Sequence, residues 1–86
     1  MPRISAFYGI VIWLYWNDHQ PPHFHAEYAG QVALVAIADS TVIRGSLPPR
    51  ALRLVEEWAG LHRTELAENW ERAQRREALV SIEPLP

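Results

Sequence analysis

Cysteine and lysine are absent from this chain, and each absence closes off a class of function. Without cysteine there is no disulfide framework, no thiolate nucleophile and no thiolate metal ligand. All eight basic residues are arginines, set against ten acids for a net charge of −2. That argues against a general phosphate-neutralising surface and leaves room only for a local basic patch. No apolar run is long enough to span a membrane, and Met1-Pro2-Arg3 opens no signal-peptide apolar region. A cytoplasmic protein without membrane contact is therefore expected.

What is present fits one small globular domain over residues 1–86, 49% hydrophobic and 21% charged. A chain of this size buries roughly 64% of the surface it exposes when unfolded, so its core is small. The chain divides near Leu47-Pro48-Pro49. Residues 1–46 read as a β-meander, 48–76 as a helical segment and 77–86 as a tail. The expected class is α+β: four to five antiparallel strands, then one long helix, straight or kinked, or a helix pair.

The run Ile10-Val11-Ile12-Trp13-Leu14-Tyr15-Trp16 is β-branched and aromatic, the pattern of a central strand. A shorter strand is expected around Arg3 to Ala6, with a turn at Tyr8-Gly9. Pro21-Pro22 removes two donors and fixes φ twice, so residues 17–22 are a loop. Strands follow at His23 to Tyr28, Gln31 to Ala38 and Thr41 to Arg44. The turns between them are short enough to make successive strands antiparallel.

After Pro48-Pro49, residues Ala51, Val55, Trp58, His62, Leu66, Trp70 and Ala73 form one helical stripe. Its phase survives Gly60, which favours a single helix of roughly 26 residues over a pair; at 1.5 Å per residue it is about 40 Å long. Such a helix overhangs a sheet whose strands span about 23 Å. The overhang carries Leu66, Trp70 and Ala73, which would then meet a second copy or a partner protein. The competing reading is a kink at Gly60 that folds the second half back onto the sheet.

Three of the four histidines fall within His19-Gln20-Pro21-Pro22-His23-Phe24-His25. Strand alternation puts His23, His25 and Glu27 on one face and Phe24, Ala26 and Tyr28 on the other. The first set makes a polar row over which His19 can fold. Two imidazoles and a carboxylate are a ligand set for zinc or another divalent transition metal. The metal candidates are therefore His19, His23, His25 and Glu27. Without metal, His23 and His25 are candidates for general acid and base. The plainer reading is a solvated pair on an open strand face. His62, on the helix stripe, reads as a half-buried histidine with one partner, or as a further ligand. Arg50 and Arg53, one turn apart at the helix start, are candidates for contact with an anion or a partner.

Several stretches carry a resemblance. They are Phe7-Tyr8-Gly9-Ile10-Val11-Ile12, Asn17-Asp18-His19, Pro21-Pro22-His23-Phe24-His25, Leu47-Pro48-Pro49-Arg50-Ala51, Trp58-Ala59 with His62, and Asn69-Trp70. The chain resembles the bacterial family called domain of unknown function 4160 over almost its whole length. Gly60 departs from the family pattern, as do the apolar Ala33, Val35 and Ala38. The resemblance implies small cytoplasmic proteins in toxin–antitoxin-like two-gene cassettes, and it assigns no activity.

Three functions follow as expectations. The first is an interaction or regulatory protein, self-associating or bound to a small operon-encoded partner. The second is a metal-binding protein or His-dependent hydrolase, RNA-cleaving in a toxin-like setting, that uses His23, His25 and Glu27. The third is a nucleic-acid-binding module. The balance leans away from an enzyme.

Overall fold

The computed structural model describes residues 2–86. The strands are β1 (Arg3–Phe7), β2 (Ile10–Trp13), β3 (His23–Tyr28), β4 (Gln31–Ala36) and β5 (Val42–Gly45). The helices α1 (Pro49–Leu61) and α2 (Arg63–Gln74) follow. Sheet order is β1-β2-β3-β4-β5, and every neighbouring pair is antiparallel. This is the α+β meander expected from the short turns.

The turns have a local cause. Tyr8 and Gly9 take φ of 50° and 79°, and Ala29 and Gly30 take 50° and 82°. Two consecutive positive φ values make the turn type whose twist matches paired strands. Gly45 is fixed more tightly. At φ +77° a Cβ there would stand 2.1 Å from the Val32 carbonyl oxygen, so β5 approaches β4 closely only because no side chain intervenes. The apolar run from Ile10 is shorter as a strand than expected. It ends at Trp13, and Leu14 leaves the sheet but stays buried, its N–H donating to the Pro2 carbonyl at 3.2 Å.

One core gathers Phe7, Ile10, Ile12, Phe24, Ala26, Ala33 and Val35 from the sheet with Val55, Trp58 and Ala59 from α1. Trp58 lies in edge contact with Phe24 at 5.8 Å and tilts against Phe7 at 5.3 Å. Residues 77–86 are tied down by hydrogen bonds. Ile82 N–H donates to Ile4, Trp58 Nε1 to the Glu83 carbonyl, and the Asn69 side chain both donates to and accepts from Val80. Ile82 and Leu85 join the core.

The helical segment takes the helix-pair form of the expected class rather than the single helix that the stripe favours. Gly60 stays inside α1, and the break comes at His62, with φ −124° and ψ 27°. The reason is one of size. The molecule's longest dimension is 33 Å, so a straight helix of about 40 Å would strand half of its apolar stripe in water. Bending at His62 returns that half to the sheet. Arg63, the first residue past the bend, donates to the Ile37 carbonyl and anchors the turn to the end of β4. Leu66, Trp70 and Ala73 are consequently 0%, 3% and 0% exposed. The exposed Leu66–Trp70–Ala73 stripe expected at an interface does not form; the chain's own core takes it up. No described helix is long and apolar enough to cross a membrane.

Candidate metal centre

Alternation along β3 sends Phe24 and Ala26 into the core and places His23 and His25 on the opposite face, as the sequence pattern requires. That face is not open and solvated, as the plainer of the two readings has it. His23 is 1% exposed and His25 8%. The register sets Trp13 of β2 beside His25, and the two rings stack at 5.3 Å and 10°. Tyr15 closes on His25 edge-on at 4.9 Å. Trp70 of α2 lies 5.3 Å from the His23 ring, so the folded-back helix covers the start of β3.

The loop between β2 and β3 then brings in a carboxylate. Asn17, at φ 56°, donates its N–H to the Ala73 carbonyl at 3.1 Å. Gln74 Nε2 donates to the Asp18 carbonyl at 3.2 Å. With the end of α2 holding both residues, the Asp18 side chain is aimed at the histidines. One donor atom each from Asp18, His23 and His25 lies within 4.8 Å of the others. Among the described residues this is the one group of three or more such side chains drawn so close. Donors on a tetrahedral zinc stand about 3.3 Å apart, so His23 Nε2 and Asp18 Oδ2 at 3.0 Å already have that spacing, and the widest pair closes by at most about 1.5 Å.

The protonation pattern narrows what the group can do. His23 Nδ1 lies 2.8 Å from the Pro21 carbonyl oxygen, which can only accept, so Nδ1 carries the hydrogen. In a neutral ring Nε2 is then a bare lone pair. It sits 3.0 Å from Asp18 Oδ2 without the geometry of a hydrogen bond, buried and without a partner. His25 Nδ1 is also buried without a partner. Burial, and then the charge of His23, lower the His25 pKa below its ordinary 6.5, although Asp18 opposes them. His25 is therefore neutral at pH 7. Burial would raise the Asp18 pKa. The main-chain N–H of His19, followed by the charges of His23, His19 and His25, outweighs that and lowers it from 3.8. A carboxylate and two buried imidazoles thus face one another, with His23 Nε2 and His25 Nδ1 left without hydrogen-bond partners, an arrangement that suits either a metal cation or a proton.

The remaining candidates lie elsewhere. Glu27 is two residues farther along β3, paired with Val11 and Val32, and takes no part in the group; Asp18 stands in its place. The His19 side chain is 77% exposed and contacts the outer oxygen of Asp18. His62 pairs with Glu65 at 2.5 Å and packs beside Trp58, outside the group. Arg50 lines a separate 540 Å³ cavity with Tyr8, Tyr28, Leu54 and Glu57, and Arg53 is exposed on α1.

A family model described as Domain of unknown function (DUF4160) matches residues 9–71. The chain belongs to this family. The DUF4160 match takes in Asp18, His23 and His25 together with the Trp70 that packs against His23. Comparison with curated proteins and with solved structures gave no match.

Proposed function

We propose that this DUF4160 protein binds a divalent transition metal through Asp18, His23 and His25. The observation that carries the reading is the His23 ring, whose Nδ1 is committed to the Pro21 carbonyl while Nε2 faces the Asp18 carboxylate. A metal-ligating histidine commonly gives its second nitrogen to a backbone carbonyl in this way, which fixes the tautomer and the ring orientation. Two imidazoles and one carboxylate suit zinc and, among redox metals, ferrous iron. The competing occupant of the gap is a proton, which would make a buried His23–Asp18 ion pair. Calorimetric titration separates the two. Wild type binds one zinc ion per chain, and Asp18→Asn, nearly the same size, loses that binding at unchanged fold. Equal, weak uptake by both proteins would leave the ion pair as the better account.

A second reading, an interaction protein of a cytoplasmic two-gene cassette, draws on a different feature. β5 is an outer strand of the sheet, with Arg44 and Gly45 exposed and Ile43 44% exposed. An edge of that kind can accept a strand from a partner. Ile43→Lys would then abolish partner capture and leave zinc uptake intact.

A further inference from the structure

The two oxygens of Asp18 are used unequally. Oδ1 accepts the main-chain N–H of His19 at 2.8 Å and is met by His19 Nδ1 at 2.9 Å. Oδ2 is turned inward, 3.0 Å from His23 Nε2. His19 thereby holds the outer oxygen and leaves one inner oxygen for a cation. Resting on the metal reading above, we infer that the centre is an open three-ligand site. Asp18 ligates through Oδ2 alone, His19 is a positioning residue, and the fourth position takes water or a small anion.

The count of donors supports this. The chain has no cysteine, Glu27 and His62 lie outside the group, and the His19 ring is engaged with Oδ1. Three protein donors leave a tetrahedral ion one position short, which is the arrangement of sites that exchange ligands rather than structural ones. Exposure around the group is one-sided. His23 and His25 are buried, but the Asp18 side chain is 15% exposed and the His19 side chain 77%. The exposed side of the group is therefore the Asp18 side, where the His19 ring lies 5.6 Å from that of His23.

Cobalt(II) tests the inference, because its visible absorption reports coordination number directly. The full chain is loaded with Co²⁺ and titrated with azide. Wild type should show a saturable spectral change as azide takes the fourth position. His19→Ala should bind Co²⁺ roughly 10–100-fold more weakly, as loss of an outer orienting group does, and His19→Asn, which keeps a donor near the Nδ1 position, should recover much of it. His19 is exposed, so neither variant threatens the fold. A Co²⁺ spectrum indifferent to azide would show a closed centre and overturn the inference while sparing the metal reading. Equal Co²⁺ affinity in wild type and His19→Ala would remove the positioning role. A chain that takes up no Co²⁺ refutes the metal reading, and this inference with it.

Discussion

His23 Nε2 and Asp18 Oδ2 stand 3.0 Å apart, while the opposite nitrogen of the same ring bonds the Pro21 carbonyl. This pairing links the strand, the proline loop and α2. Pro21 sets the tautomer, and the end of α2 presents Asp18 by holding Asn17 and the Asp18 carbonyl. Trp70 excludes water from the ring behind it. Together these parts hold an imidazole nitrogen and a carboxylate oxygen face to face, and the proposed metal reading rests on that arrangement.

Zinc should therefore stabilise the fold. At a free concentration one hundred times Kd, binding to the native state alone adds about 2.7 kcal/mol. For a domain this small that raises Tm by roughly 10–20 °C. A thermal melt with and without zinc reads the shift. Asp18→Ala should melt at the same temperature in both, and a chelator should return wild type to its metal-free value.

Acid should weaken the metal-free protein in two stages. The folded-state pKa of His25 lies below its ordinary 6.5, so the unfolded chain binds more protons just below that pH. Stability is then full above 6.5, falls as pH drops through it, and levels off below the lowered value. Asp18, lowered from 3.8, contributes stability above that pH and loses it as pH falls through its folded-state value. Denaturant melts from pH 7.5 to 5 should show the first stage in wild type, and His25→Phe should flatten it. An unchanged slope in that variant would assign the loss to another group.

Legibility in the sequence followed distance along the chain. Strand alternation put His23 and His25 on one face, and the turns Tyr8-Gly9 and Ala29-Gly30 marked the meander, because both are local properties. Asp18 was not legible as a donor. Its loop carries no periodic signal, and only the end of α2, more than fifty residues away, aims it. Burial of His23 was hidden for the same reason, since Trp70 reaches it only after the bend at His62. The bend itself has no local marker. The stripe keeps its phase through His62, and the small sheet enforces the turn.

Two glycines should respond oppositely to alanine. At Gly45 the positive φ costs about 1 kcal/mol, and the clash with the Val32 carbonyl about 1–3 more. Gly45→Ala should therefore lose roughly 2–4 kcal/mol. At Gly60 an added Cβ meets only the Arg63 guanidinium at an ordinary 3.9 Å. Gly60→Ala should gain close to 1 kcal/mol, the helix preference for alanine. Urea denaturation of both variants checks the pair.

Leu66 separates core from interface. As a fully buried residue it should cost about 2–5 kcal/mol when cut to alanine, with no change in the mass of the native species. Light scattering beside a denaturant melt reads both quantities. A variant of wild-type stability that dissociates an oligomer would restore the exposed stripe and contradict the folded-back helix.

The most direct measurement is a zinc titration followed through the histidine ring nitrogens by NMR. Before zinc, His23 should show a hydrogen on Nδ1 and a bare Nε2. One equivalent should move His23 Nε2 and the His25 ring together into metal-bound positions, shift His19 slightly and leave His62 in place. If the His23 ring instead carries hydrogens on both nitrogens and zinc moves neither His23 nor His25, the gap belongs to a proton and the centre is a buried ion pair.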